Sequence, residues 1–274
     1  MTKYRLKFIA AIMICVAFFY TACQKTLVTS TATTNSSAIG SQIALSLYKS
    51  ITGQYGGANI NNGIKAPNSI VSTHKGPAIN AITTLCGYTI DTTYFTSANL
   101  HDTTEAVSAH FKFIYNCANN TVNGYTLADS VTTVITSPLF NNVTASAQNY
   151  VVQALDTTYK LVSMVGGITS NTHNVVLSGT VQTEYHDLTG QYYLSGVQVN
   201  LASGVADITT GTAAFTSTQT DFTVSSGTPA VTNSYNGTIT FLGNHMAKVS
   251  FTMAPNGPVF SYMINLITGV TTTV

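Results

Sequence analysis

The chain has 274 residues, of which 45% are hydrophobic and only 7% are charged, and its formal net charge is +1. The 10 basic and 9 acidic residues argue against nucleic acid as a partner, because no cationic surplus is left to neutralise phosphates. In an ordinary soluble domain about one quarter of the residues are charged. The solubility of this chain must therefore depend on neutral polar groups. Threonine supplies about one residue in six, a β-branched composition that favours sheet over helix.

The first 23 residues have the three parts of an export signal. A basic stretch at residues 3–7 precedes an uninterrupted apolar run over residues 8–20. A run of about 13 residues has the length of a signal-peptide core, and it is shorter than the roughly 20 residues that a membrane-spanning helix needs. The segment ends in two small residues and a cysteine, Thr21-Ala22-Cys23.

This ending resembles the signal of a bacterial lipoprotein precursor. The resemblance implies that a type II signal peptidase cuts after Ala22 and that Cys23 becomes the lipidated, palmitate-carrying amino terminus. Two acyl chains hold a protein stably at a membrane. Gln24 follows the cysteine, which by the same resemblance favours the outer membrane of a bacterium with two membranes. The alternatives are an ordinary secretory signal cut nearby and an uncleaved anchor.

Two cysteines are left after Cys15 is removed with the signal and Cys23 is lipidated. They are Cys86 and Cys117, and an even pair in an oxidising compartment predicts a disulfide. Two free buried thiols are the alternative, whereas a zinc site would need a second close pair of ligands.

The two cysteines also predict a strand register. Each lies on the apolar face of an alternating segment, so placing them opposite each other in an antiparallel pair sets Ile90 against Phe113. The residues between the two strands would then form a long connection that starts near Thr96.

The organisation after the signal peptide (residues 1–22) is a tether followed by one domain. Residues 23–37 are small, polar and without periodicity, which is typical of a flexible tether. Residues 38–274 form the predicted single domain, which opens with an amphipathic helix over about residues 37–52, capped by Ser36 or Ser37. A second short helix is predicted over residues 77–85.

From Cys86 onward the hydrophobic period changes to two. Apolar residues alternate with Thr, Ser and Asn, which is typical of antiparallel sheet with one wet face. Residues 144–167 favour strands over helix. We therefore predict a mainly β fold, with about eight to twelve strands in a large antiparallel meander sheet, a half-barrel or a sandwich, and one or two N-terminal helices packed on it. Breaks are predicted at Asn123-Gly124, Thr189-Gly190, Ser203-Gly204, Gly243-Asn244 and Asn256-Gly257.

Motifs that carry chemistry are scarce. There is no phosphate loop, dinucleotide glycine triplet, HExxH or GxSxG motif. Glu184 and His186 would share the outward face of a strand, opposite Tyr185, and such a pair can share a proton or contribute to a metal site. His101 and Glu105 would meet on one face of a helical turn, giving at most two metal ligands. Solvated surface residues are the preferred interpretation of both groups, and no cofactor is predicted.

The function predicted from these patterns is a non-enzymatic cell-envelope lipoprotein, a structural or interaction module. Its membrane contact is the lipid, and its expected partner is another envelope protein. The Thr/Asn-rich body is similar in style to uncharacterised envelope lipoproteins of Bacteroidota, a likeness that implies no activity. One alternative is a carrier that encloses an apolar ligand between a curved sheet and a helix. Another is a hydrolase or metal enzyme that uses Glu184 and His186.

Overall fold

Eleven strands and one α-helix make up most of the described chain. The computed structural model describes residues 35–64, 86–224, 229–254 and 256–274, and the chain from Asn35 to Val274 forms one compact unit. Numbered in chain order, the elements are α1 (Ser36–Ile51), a 3-10 turn (Ile60–Asn62), β1 (Thr89–Leu100), β2 (Thr103–Ala118), β3 (Thr121–Thr136), β4 (Phe140–Ala154), β5 (Leu161–Ser178), β6 (Val181–Asn200), β7 (Asp207–Thr223), β8 (Val231–Gly243), β9 (Met246–Met253), β10 (Val259–Asn265) and β11 (Thr271–Thr273).

The strands form one antiparallel sheet of 11 strands, in which each strand pairs with its neighbours in the sequence. This confirms the predicted mainly β meander, and the strands β4 and β5 confirm the prediction for residues 144–167. The sheet is open, because β1 and β11 lie at its two ends. All named strands belong to this sheet, so the sandwich alternative is not what the described residues form.

Alternate side chains are buried along much of β2 to β9, and these side chains share one face of the sheet, which we call the inner face. Burial of this apolar face supplies the main driving force for folding. The opposite, outer face carries mostly Thr, Ser and Asn, as the alternating sequence predicts. Examples at 1% exposure or less on the inner face are Phe113, Leu127, Tyr192, Ile239 and Val249.

Helix α1 turns its apolar stripe toward this face. Four residues of the stripe recur every fourth position and are at most 2% exposed: Ile39, Ile43, Leu47 and Ile51. The helix begins at Ser36 and ends at Ile51, one residue earlier at each end than predicted.

The cap of α1 is Asn35 and not a serine. Its side-chain Oδ1 accepts a hydrogen bond from the backbone N–H of Ser37 at 3.2 Å and one from the Ser37 hydroxyl at 2.7 Å. Asparagine is among the best N-cap residues, because its short side chain reaches the free N–H groups of the first turn. The folded unit therefore starts before residue 38, where the domain was predicted to begin. The predicted tether up to residue 34 and the predicted helix over residues 77–85 lie outside the described residues.

Residues 36–64, which we call the strap, cross the inner face from β10 to β1. Near the start of the strap, the Ser36 hydroxyl lies 2.5 Å from the Tyr262 hydroxyl of β10. Beyond the helix, the Tyr94 hydroxyl of β1 donates to the carbonyl oxygen of Gly56 at 3.0 Å. Because β10 and β1 lie near opposite ends of the sheet order, the strap spans the sheet and covers part of its inner face with its own side chains.

The disulfide joins the turn just before β1 to the end of β2, and the bond itself is as predicted. Cys86 and Cys117 are bonded, with their Cα atoms 5.6 Å apart. Ile90 pairs with Phe113, which confirms the predicted register.

The long connection predicted from Thr96 is wrong. β1 continues to Leu100, which pairs with Thr103 of β2, and only His101 and Asp102 lie between the two strands. His101 has a φ of 58°, the left-handed conformation that a two-residue hairpin turn requires.

Two glycines predicted to break strands lie inside them. At Gly124 in β3, an added Cβ would lie 2.1 Å from the carbonyl oxygen of Val152. At Gly190 in β6, it would lie 2.4 Å from the hydroxyl of Tyr192. Glycine is needed at these positions because a neighbouring group approaches the backbone closely, and not because the chain turns. The three other predicted breaks do lie at or beside turns: Ser203-Gly204, Gly243-Asn244 and Asn256-Gly257.

Candidate functional site

Glu184 and His186 lie near the start of β6, on a part of the inner face that the strap leaves open. By strand alternation they share the inner face with Tyr192, so the predicted outward face is wrong, and Tyr185 lies on the outer face. The buried positions Gly190 and Tyr192 set the phase of this strand, and the apolar Tyr185 does not. The strap crosses β6 at Tyr192, whose hydroxyl donates to the carbonyl oxygen of Ile43 at 3.0 Å. The side chains of Glu184 and His186 lie nearer the start of the strand than Tyr192 does, and they are 44% and 48% exposed.

The third member of this site, Asp221, comes from β7. The sheet register sets it directly opposite His186, and its Oδ1 lies 2.8 Å from the Nδ1 atom of the imidazole. The Oε2 atom of Glu184 lies 3.7 Å from the Nε2 atom of the same ring. Gln219 donates from Nε2 to Asp221 Oδ2 at 2.8 Å. We call these four residues the His186 cluster; Asp221 was not predicted, because only the strand register brings it there.

The electrostatics of the cluster favour the charged imidazole. The hydrogen bond to Asp221 raises the pKa of His186 above its ordinary value, and the negative charges of Asp221 and Glu184 raise this pKa further. Partial burial acts in the opposite direction. A raised histidine pKa contributes stability that is present at low pH and is lost as the pH rises through the folded-state pKa. Because the pair is half exposed, solvent screening keeps this contribution below about 1 kcal/mol.

Removing the Asp221 charge should lower the pKa of His186. In the Asp221→Asn variant the imidazolium loses its main anionic acceptor, so its NMR titration midpoint should fall below that of the parent chain. Glu184→Gln, at the longer distance, should lower it by less. An unchanged midpoint in Asp221→Asn would contradict the geometry of the cluster.

His101 and Glu105 do not form a site together. His101 lies in the turn between β1 and β2, and Glu105 lies in β2 opposite Ala98, so the predicted helical face does not exist. Among the residues that the structure describes, no group of three or more His, Cys, Asp or Glu side chains is arranged to hold a metal ion.

Histidine–carboxylate pairs between neighbouring strands recur elsewhere on the sheet. The Nε2 atom of His110 lies 2.8 Å from Asp91 Oδ1, and His173 pairs with Asp187. His173 lies directly opposite Asp187, whereas His110 lies opposite Thr93 and reaches Asp91 diagonally. Such pairs are ordinary units of sheet stabilisation, and the His186 cluster is the same unit with one additional carboxylate.

A buried carboxyl lies where the strap meets β3. Asp129 is 5% exposed, and its Oδ2 accepts a hydrogen bond from the backbone N–H of Ala58 at 2.9 Å. Burial raises the pKa of this carboxyl to about 7. The sequence analysis did not predict this buried carboxyl. Its position two residues from Leu127 and two from Val131, on the apolar face of a strand, could have indicated it.

Two surface depressions are lined by residues of the sheet and its loops. One of about 370 Å³ is lined by Asp207 and His245, together with Asn200, Asn244 and neighbouring small residues. The Asp207 carboxylate accepts hydrogen bonds from the backbone N–H groups of Asn244 and His245 at 2.9 and 2.8 Å. This carboxylate therefore stabilises the β8–β9 turn. The other, of about 320 Å³, lies mainly on the outer face among small side chains of β3 to β6.

The lipidation candidate, Cys23, lies outside the described residues. Of the helices that the structure describes, none is both long enough and apolar enough to cross a membrane. No protein-family profile, curated protein or solved structure matches the chain.

Proposed function

We propose that this chain is a lipid-anchored module of the bacterial cell envelope that acts by interaction and not by catalysis. The observation that carries the proposal is the amino-terminal sequence, in which a basic stretch and an apolar run lead to Thr21-Ala22-Cys23. Residues 24–34 separate that cysteine from Asn35, where the folded unit begins. Fully extended, this tether would reach about 40 Å from the lipid.

The cysteines of the folded unit support a location outside the cytosol. Cys86 and Cys117 form a disulfide, and structural disulfides form and persist in oxidising compartments. The bond is independent of the amino-terminal pattern, so the two observations support the same compartment separately.

The packing of the strap against the sheet favours an interaction module over a carrier. A carrier would hold its apolar ligand between helix and sheet, but the side chains of Leu47 and Ile51 are fully buried there. To admit a ligand, the strap would have to leave the sheet and break hydrogen bonds such as the one from Tyr192 to Ile43.

The arrangement at Glu184 and His186 gives less support to an enzyme. His186 is held between two carboxylates on an open part of the strand, and a catalytic site normally lies in a concave pocket that excludes water. We therefore place the function on the exposed surface of the module, with another envelope protein as its partner.

Replacing the lipidated cysteine tests the anchor. In the Cys23→Ser variant the full chain should incorporate no labelled palmitate and should no longer sediment with membranes, because no thiol is left to acylate at that position. The matched control is Cys15→Ser, which removes a thiol within the predicted signal and should leave labelling and sedimentation unchanged. Membrane attachment and labelling that persist in Cys23→Ser would overturn the proposal.

A further inference from the structure

The free edge of β1 is a surface for pairing with another strand. We propose that two copies of this chain associate through β1, antiparallel, with Phe95 on the twofold axis. β1 is at one end of the sheet, and none of the other named strands pairs with its outer edge. A free edge exposes unpaired backbone N–H and C=O groups, which form a template for a further strand.

The edge of β1 lacks the features that usually block such pairing. All 12 of its residues pair with β2 without a register shift, so no bulge twists the edge away. It contains no Lys, Arg or Pro, the residues that commonly protect exposed edges. Its single charged residue, Asp91, is already paired with His110 at 2.8 Å. The other edge strand, β11, has only 3 residues and offers far fewer pairing groups.

The outer-face side chains of β1 are complementary to themselves about Phe95. Phe95 is 70% exposed, and it would face Phe95 of the second copy, an aromatic cross-strand pair. Two positions from the axis, Thr93 faces Ser97; four positions from it, the Asp91 carboxylate faces the Asn99 amide. No like charges meet in this register.

The inner-face residues of β1 match in the same register. Ile90 would lie opposite Leu100, which is 39% exposed in the single chain, so the second copy covers an apolar group. Shifting the pairing by two residues separates the Phe95 side chains, and shifting it by one places inner-face residues against outer-face ones. Because the pairing is isologous, it closes at two copies and does not extend into a filament.

Cysteine cross-linking of the full-length chain in its own membrane tests this register. Directly opposed residues have Cα atoms about 4.5–5.5 Å apart, which suits a disulfide. With diamide as the oxidant, Phe95→Cys should give a band of doubled mass on a non-reducing gel. Thr93→Cys and Ser97→Cys should each stay at single mass alone and should cross-link when the two variants are expressed together.

Tyr193→Cys is the control for random collision in the membrane, since Tyr193 is 64% exposed on the outer face of β6, far from either edge. Phe95→Cys cross-linking no stronger than that of Tyr193→Cys would overturn the proposal. Cross-linking of Phe95→Cys only to proteins of a different mass would also overturn it.

A second measurement is the sedimenting mass of the detergent-extracted chain. Phe95→Lys should halve this mass, whereas Tyr193→Lys should leave it unchanged. A parent chain that sediments with the mass of one copy would also overturn the proposal.

Discussion

The Leu47→Ala variant should unfold with about 2–5 kcal/mol less free energy than the parent chain, the range for leucine truncation in a well-packed core. Leu47 is 0% exposed, at the centre of the α1 stripe. Its loss removes buried apolar surface and leaves a cavity between helix and sheet that the paired strands cannot collapse to fill. Urea unfolding of the disulfide-bonded chain measures the change.

The matched control is Leu45→Ala on the same helix. Leu45 is half-buried and points away from the sheet, toward Gly269 in the turn between β10 and β11. The same chemical truncation should therefore cost only about 1 kcal/mol, because less apolar surface leaves water on folding. Equal losses in the two variants would mean that the strap does not cover the inner face as described.

The second large effect concerns the buried carboxyl of Asp129. Its folded-state pKa is raised to about 7, mainly because burial disfavours the charged form; the hydrogen bond from Ala58 acts in the opposite direction. The nearest ionisable neighbours are tyrosines, Tyr94, Tyr125 and Tyr150, whose pKa values burial also raises. A neutral Asp129 therefore suits this part of the core.

The direction of the pH dependence follows from this raised pKa. In the unfolded chain an aspartate ionises near pH 4, whereas in the folded chain Asp129 keeps its proton until about pH 7. Stability from this group is thus fully present below pH 4 and is lost as the pH rises to about 7, a loss of about 4 kcal/mol in total. Above that range Asp129 is ionised in both the folded and the unfolded chain, so its contribution to the unfolding free energy no longer changes with pH.

Asp129→Asn isolates the contribution of this carboxyl from those of the other titratable groups. The variant keeps the side-chain shape but cannot ionise. From pH 4 to 7 the parent should therefore lose unfolding free energy relative to the variant. Asp102→Asn is the matched control for the substitution itself, because Asp102 lies exposed in the β1–β2 turn. If the Asp129→Asn difference stays constant with pH, the carboxyl is not buried in the folded state as described.

Local periodicity was enough to predict most of the fold. The stripe from Ile39 to Ile51 predicted α1 within one residue, because helix formation depends on a pattern that short segments carry by themselves. The pairing of Ile90 with Phe113 was predictable for another reason: the disulfide constrains two alternating strands to one register.

Turns and sites were harder to predict, since they depend on neighbours distant in sequence. Gly190 has the same sequence signature as a turn glycine, and only the ring of Tyr192 shows why it lies within a strand. Glu184 and His186 were correctly predicted to share a face, but it is the inner face and not the outward one, and Asp221 joins them through the pairing of β6 with β7. No local sequence pattern indicates that Asp221 lies beside His186.

The most direct test of the central proposal is the intact mass of the protein extracted from its native membrane, measured before and after reduction. We expect a chain that begins at Cys23, carries the added mass of acyl groups, and gains two hydrogens from the Cys86–Cys117 disulfide on reduction. A chain that begins at another residue, or one without acyl mass, would contradict the proposed anchoring in the envelope.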